Sequence, residues 1–446
     1  MINSEIKSKK GKEMNNREVL WKPFTANREF NQEPRIFTKS DGMYYYTDKG
    51  EKVLDAVSGL WCCNLGNNHP KVVEAIQKQA SNMYYSPAFQ IGNEPELELA
   101  KELVSITPDG LDHAFFTNSG SESAESALKM ALAYHKATGN GTKTMFLGRE
   151  HAYHGVNFGG ISVGGLVNNK REYNNLLKVA HIPTIFDMKN NAFTKGIPEN
   201  GAHKADALQD TINLYGAENI AALIMEPMAG SGGVHVAPKG YLERIAKICK
   251  DNNILLILDE VITGFGRLGS AFASTKFGIT PDIMTTAKGL TNGAIPMGAI
   301  VASNKIYDGI VNNSKNPIEF FHGYTYSGHP IACAAGVATI KAYKEEKSFE
   351  KVAEISPYWE EALHSLKGIK HIVDIRNIGL VGAIQLEVSK DGAGVYGDKV
   401  YKECYKKGVL VRGTGDTIAL SPAFIITKEE IQIIVSTLKE VIENLD

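Results

Sequence analysis

The chain has 446 residues, 43% apolar and 22% charged, the make-up of a globular protein long enough for two domains or for one large α/β domain with a smaller partner. Its 48 basic and 50 acidic residues leave a formal net charge of −2, which argues against a dedicated nucleic-acid or anionic-membrane surface. The five cysteines, Cys62, Cys63, Cys249, Cys333 and Cys404, form no C-x-x-C pair and are odd in number, so no disulfide framework or zinc site is expected and a reducing cytosol suits them.

In chain order, MINSEIKSKKGKEMNN (1–16) is lysine-rich with no apolar run. It reads as a disordered tail, not a signal peptide or membrane span, and Met14 stands as an alternative start. GMYYYTDKGEKVLDA (42–56) alternates like a hairpin around Asp48-Lys49-Gly50. DHAFFT (112–117) predicts a strand, followed by a helix over 118–139 with Ser119 and Glu122 spaced as a capping box. TKTMFLG (142–148), IAALIME (220–226) and ILLILDE (254–260) predict further strands, with a helix over 238–253 opening on Pro238. A strand–helix–strand unit of this kind implies parallel pairing. DIMTTA (282–287) predicts the next strand. From about 330 follow helices over 329–345 and 347–366, short strands within 371–388 and 409–421, and an amphipathic helix over 428–443. The pattern places a large α/β domain at 65–325 and a smaller α+β domain in 326–446 together with 17–64. A ligand then belongs outside the carboxyl ends of the central strands.

Three of those ends carry chemistry. TNSGSES (117–123) starts a helix with small residues whose free N–H groups would seat a phosphate; a plain helix cap reads as well. In ILLILDEVITGFGR (254–267), Asp259 follows five apolar residues, and a buried carboxylate must be paired or take up a proton. It is a ligand for a metal, a ribose or a buried cation, or else a surface Asp just past the strand. In DIMTTAKGLTNG (282–293), Lys288 stands at the corresponding end. A partly desolvated lysine is a nucleophile toward carbonyls; otherwise it snorkels to solvent. A phosphate seat, a carboxylate and a reactive amine are what pyridoxal phosphate, a phosphorylated aldehyde with a basic ring nitrogen, requires.

Other residues agree with that cofactor. Tyr153, in GREHAYHGVNFGG (148–160), is suited to stacking on a flat ring. His151 and His154 have H-x-x-H spacing but no third ligand, so no metal is expected. Thr325, in HGYTYSGHP (322–330), is placed to donate to a phosphate. Trp61, in SGLWCCN (58–64), is a pocket wall or a core residue. Arg412, in GVLVRGTGDTIALSP (408–422), suits bidentate carboxylate recognition or a surface salt bridge.

The motifs FFTNSGSES, HGVNFGGISVGG, LILDEVITGFGRLG, TTAKGLTNG and FFHGYTYSGHP, in that order, make the chain resemble the class III, fold-type I PLP-dependent aminotransferases. It is most similar to the ω-amino acid:pyruvate (β-alanine:pyruvate) aminotransferases, from WKPFTANREF (21–30) to the end. The resemblance implies a large α/β/α domain with a mixed, mostly parallel central sheet and a smaller α+β domain from the two chain ends. It implies that Lys288 is the Schiff-base lysine, Asp259 the pyridine-nitrogen carboxylate, and Gly120 and Ser121 the phosphate-binding pair. Tyr153 and Val261 would flank the ring, and Glu226 would lie near its substituents. Thr325 would reach the phosphate from the neighbouring subunit of a homodimer, or of a homotetramer. Trp61, Arg412, Phe24 and Phe89 match substrate-pocket positions. The implied reaction passes the amine of an ω-amino acid to pyruvate in the cytoplasm. Taurine or γ-aminobutyrate as donor, 2-oxoglutarate as acceptor, and aminomutase or decarboxylase chemistry stay open. A nucleotide-binding oxidoreductase would need a G-x-G-x-x-G fingerprint after a strand, which is missing.

Overall fold

The computed structural model describes residues 19–446 and, before them, the backbone of two three-residue strands, Glu5–Lys7 and Glu13–Asn15, paired antiparallel. The other residues up to 18, on which most of the expected disordered tail over 1–16 falls, lie outside the described residues.

A seven-stranded sheet forms the centre. Across it the order is Leu111–Thr117, Gly298–Ser303, Ile283–Thr286, Leu255–Asp259, Ile220–Met225, Met145–Arg149 and Val179–Ile182. Gly298–Ser303 runs antiparallel to both neighbours, and the other six strands point the same way. The sheet is therefore mixed and mostly parallel, as expected, though the sequence reading passed over Gly298–Ser303. Every residue of Ile220–Met225 and Leu255–Asp259 is buried. Alternate side chains of such strands serve two cores. Ala222, Ile224, Leu255 and Ile257 pack with Ala124, Ala127 and Leu128 of the helix Gly120–Ala137. Leu223, Met225, Leu256 and Leu258 pack with Leu208, Ile212, Tyr241 and Ile245 of two helices in another cluster, on the opposite face.

Two local details differ from the sequence reading. The helix expected from Pro238 begins at Tyr241, after Gly240 in the left-handed region (φ 78°). Pro238 instead lends its carbonyl oxygen to the Tyr241 N–H (3.0 Å). The capping box at Ser119 is half made. Ser119 Oγ accepts from Glu122 N (3.2 Å), but the Glu122 carboxylate turns back one residue further and accepts from Asn118 N (2.8 Å).

The chain ends build two four-stranded sheets. Phe37–Asp41, Tyr44–Thr47 and Lys52–Asp55 form a meander, and Val409–Leu410 adds alongside Lys52–Asp55 in parallel, so both ends of the chain share one sheet. Ile372–Ile378, Val381–Leu386, Thr417–Leu420 and Arg412–Thr414 form the other. The expected helices appear as Pro330–Glu345, Ser348–His364 and Lys428–Glu443. Within 326–446 the helix Val395–Lys406 was not anticipated, although its buried Tyr396, Val400 and Cys404 stand at helical spacing.

Arg267 fastens these ends to the central region. Its guanidinium is fully buried and donates to Ser421 O, Pro422 O, Ser58 Oγ and Asn64 Oδ1, and it lies over the Phe424 ring. Burial pulls its pKa down from 12.5 to about 10. Replacing Arg267 by Ala strands these partners without a donor. About 3 kcal/mol and a fall of roughly 3 °C in melting temperature are expected. Calorimetry at one fixed scan rate checks this; an unchanged melting temperature would remove the guanidinium from this role.

Candidate active site

Parallel strands deliver their carboxyl ends to one edge, and the register of this sheet decides what meets there. Asp259 pairs with Thr285, and Leu258 pairs with Met225, the residue before Glu226. Asp259, Glu226 and the segment leading to Lys288 are thus brought side by side. A cavity of about 150 Å³ opens at this edge. Gly120, Ser121, Tyr153, His154, Gly155, Glu226, Met228, Asp259, Val261, Ile262 and Lys288 line it. Seven of the twelve residues singled out from the sequence stand together there.

Each is held by a specific contact. Asp259 is 5% exposed; its Oδ2 lies 2.7 Å from His154 Nδ1, and its Oδ1 accepts from Val261 N (3.1 Å). His154 is the residue the sequence reading missed. Its H-x-x-H spacing drew attention only as a metal motif, and the carboxylate it meets is 105 positions away. Among the described residues no cluster of His, Cys, Asp and Glu could hold a metal ion. Glu226 accepts from Tyr153 N and Gly230 N, both at 3.2 Å. The buried Arg149 donates to the Glu226 carbonyl at 2.9 Å. Gly120 leaves room for Val261, because a Cβ there would stand 2.9 Å from Val261 Cγ1. Gly155 sits at φ 90°, and its Cβ would overlap Ser121. The N–H groups of Gly120 and Ser121 open the helix and have no intrahelical partner.

Lys288 occupies the left-handed region (φ 48°) immediately after the strand, a conformation costly for a side chain with a Cβ. Its Nζ donates to Leu60 O at 3.1 Å. Burial, then the nearby Arg412 charge, pulls its pKa from 10.5 to about 8, against opposing pulls from Cys62, Asp259 and Glu226. Burial pushes Glu226 up to about 7, against the fields of His154 and Arg149. Burial also raises the Tyr153 phenol.

The remaining candidates lie outside this cavity. Arg412 and Phe24 line a second cavity of about 440 Å³ with Leu60, Arg35 and Tyr401. Leu60, whose carbonyl receives Lys288 Nζ, lines this second cavity. Arg412 makes no ion pair among the described residues, and burial lowers its pKa. Trp61 is 4% exposed, in an apolar cluster with Met228 and Ile378. Phe89 is 59% exposed and lies against Gly323. Thr325 is exposed, and its carbonyl accepts from Tyr85.

The donor set fits pyridoxal phosphate. A cavity near 150 Å³ accommodates one aromatic ring. It offers an anion seat at a helix N-terminus, a carboxylate, an aromatic face and an amine poised to lose its proton. In the cofactor-free protein, an amine-acylating reagent is expected to label Lys288 with a rate that rises through a midpoint of about 8, as the ammonium gives way to the neutral amine. Peptide mass spectrometry across a pH series reads this. A midpoint at the ordinary 10.5 would show that burial does not act on this amine.

Comparison with known proteins agrees with the geometry. The family model for class-III aminotransferases matches residues 25–442. The omega-aminotransferase of Caulobacter vibrioides is 52% identical over 433 residues, 97% of this chain and 99% of that protein. The beta-alanine–pyruvate aminotransferase of Pseudomonas aeruginosa is 44% identical over 414 residues, 92% of each chain. The solved structure of the omega transaminase from Pseudomonas jessenii in complex with PMP matches with a TM-score of 0.91 at 31% identity, covering 96% of this chain and 97% of that one. With its folded sheet, its cavity of a lysine, a carboxylate and a helix N-terminus, and these relatives, the chain belongs to the class-III aminotransferases, enzymes that use pyridoxal 5'-phosphate to move an amino group from an amine donor to a keto acid.

Proposed function

We propose that the protein transfers the amino group of an ω-amino acid or related amine, β-alanine being the model donor, to pyruvate, giving a semialdehyde, aldehyde or ketone and L-alanine. The observation that carries this reading is Arg412. Its guanidinium is desolvated, makes no ion pair among the described residues, and bounds a cavity that shares the Leu60 turn with Lys288. A cation so placed takes a carboxylate bidentately, as a keto acid offers. The Pseudomonas aeruginosa relative is a beta-alanine–pyruvate aminotransferase.

Each residue has a part in this proposal. Gly120 and Ser121 N–H groups would seat the phosphate, and Asp259, steadied by His154, would keep the ring nitrogen protonated. Tyr153 and Val261 would contact the ring, with Glu226 beside its substituents. When bound, pyridoxal phosphate supplies an electron sink for the carbanion formed at the donor carbon. Lys288 would hold the cofactor at rest. Displaced by the incoming amine, its Nζ would remove the proton from the donor carbon and later return it. A pKa near 8 leaves roughly a fifth of that amine neutral at about pH 7.4, far more than an ordinary lysine. Trp61, Phe24 and Phe89 would shape the substrate side.

Thr325 does not line the cavity of its own chain, so a phosphate contact would come from a second copy. Trp21, Phe24, Tyr84, Phe89, Phe321 and Tyr326 are all exposed, which favours a homodimer, or a homotetramer built from it. We place the cofactor-binding unit at 65–325 and the smaller one at 17–64 with 326–446. Among the described residues no helix is long and apolar enough to cross a membrane. With five free thiols, we assign the protein to the cytoplasm.

Lys288→Ala is expected to abolish turnover of β-alanine with pyruvate, followed as alanine formed; retained turnover would sink the assignment. Arg412→Ala is expected to raise the KM for pyruvate roughly 10–100-fold, one lost charge-assisted carboxylate pair. Half-reactions with an amine lacking a carboxylate should be spared. Equal damage to both would mean that Arg412 supports the fold and not the acceptor. Light scattering after size exclusion should give a dimer or tetramer; a monomer with full activity would exclude Thr325 from the site.

A further inference from the structure

The turn that receives the Lys288 amine runs directly into two adjacent thiols that the proposed reaction does not use. Cys62 Sγ and Cys63 Sγ lie 3.9 Å apart. Both turn into the same gap, between Gly59 and Gly293. A Cβ on Gly293 would stand 3.0 Å from Cys62 Sγ and 3.1 Å from Cys63 Sγ; one on Gly59 would stand at 3.3 and 3.4 Å. Both cysteines are partly exposed, whereas Cys249, Cys333 and Cys404 are buried. The two thiols are also unlike. The hydrogen bond between them draws Cys62 down, while the same bond and burial push Cys63 up. The two sulfurs thus share one hydrogen bond inside one gap, the geometry in which an oxidised sulfur is resolved by its neighbour.

We propose that Cys62 and Cys63 form a peroxide-sensitive modification site that closes to a vicinal disulfide and disables Lys288 beside it. In the first step the Cys62 thiolate attacks hydrogen peroxide. An S–O bond forms, the O–O bond breaks, and the departing hydroxide takes up a proton as water. Cys62 is oxidised by two electrons to the sulfenic acid, and the peroxide is reduced. In the second step the Cys63 sulfur attacks the Cys62 sulfur. The S–S bond forms, the S–O bond breaks, and the Cys63 proton leaves with the hydroxide as a second water.

Closure brings the sulfurs from 3.9 Å to about 2 Å. The two residues are bonded neighbours, so the peptide between them and the turn before it must rotate. That turn is already strained: Ser58, Gly59 and Trp61 stand at φ 42°, 69° and 65°. Asp55 holds it, accepting from Val57 N (2.9 Å) and Gly59 N (2.6 Å), as does Arg267 at Ser58 Oγ (2.9 Å). Its Leu60 carbonyl is the group that receives Lys288 Nζ. Rotation displaces that acceptor, the group that steadies Lys288 Nζ when the incoming amine has displaced it. The loss of activity rests on Lys288 being the reacting amine; formation of the disulfide does not.

The test treats the full-length holoenzyme with hydrogen peroxide and reads peptide mass and turnover on the same samples. The peptide carrying Cys62 and Cys63 is expected to lose two hydrogens. Turnover should fall roughly tenfold in step, the effect of about one displaced hydrogen bond to a charged group. Dithiothreitol should restore both. Cys63→Ser is expected to keep the untreated turnover and, under peroxide, to gain oxygen at Cys62 without losing the hydrogen pair. Cys63→Ala serves if that variant does not fold. The proposal is overturned if the pair stays reduced while exposed methionines oxidise, if the disulfide forms with turnover unchanged, or if Cys63→Ser is inhibited and rescued like the parent. An inactive role for Lys288 would show separately, in the Lys288→Ala enzyme, with the mass loss intact.

Discussion

The hydrogen bond between Asp259 and His154 is the contact around which the site is arranged. Asp259 ends a strand in which every residue is buried, and a carboxylate there needs partners close at hand. His154 Nδ1 and Val261 N provide them. In doing so they fix the segment after Met145–Arg149, because His154 cannot move without stranding the carboxylate. Tyr153, its neighbour, is fixed with it, and the Tyr153 N–H in turn holds Glu226. One buried pair thereby sets two strand ends and the loop between them. Val261, held by the same carboxylate, presses so closely on the helix start that a Cβ at position 120 would push its side chain aside.

Burial then does chemical work on the groups it surrounds. Glu226 rises to about 7 and Lys288 falls to about 8, each toward its neutral form, because low dielectric disfavours both charges. An acid and an amine brought this close in acidity can exchange protons with a substrate at little cost in driving force. Farther out, Arg267 ties Ser58 and Asn64 from one end of the chain to Ser421 and Pro422 from the other. The Leu60 turn, which lines the second cavity and receives Lys288 Nζ, is held by that guanidinium at Ser58.

Much of this was legible in the sequence. Apolar runs ending in Glu226, Asp259 and Lys288 identified strands that leave polar groups at one edge, and the small residues at 117–123 marked the helix start. What escaped had physical reasons. Gly298–Ser303 is a short apolar run that resembles any buried strand, and its antiparallel direction leaves no local mark. Val395–Lys406 has helical spacing but is interrupted by Gly397, which obscured it. His154 gave only a spacing, and spacing does not say which carboxylate the ring will meet. Pro238 looked like a first helical residue, but Gly240 at positive φ delays the helix to Tyr241.

By itself the sequence determined the residue types and the family they belong to. A lysine after an apolar strand, a carboxylate after another, and five motifs in order are local patterns, and local patterns survive without coordinates. Only the tertiary structure decided that Asp259 lies across from Thr285 and beside Glu226, that His154 is its partner, that Lys288 rests on Leu60, and that Arg412 bounds a neighbouring cavity with no ion pair among the described residues. These are contacts between residues distant in the chain. They follow from strand register and from which charges burial leaves together, and neither is written in any one segment.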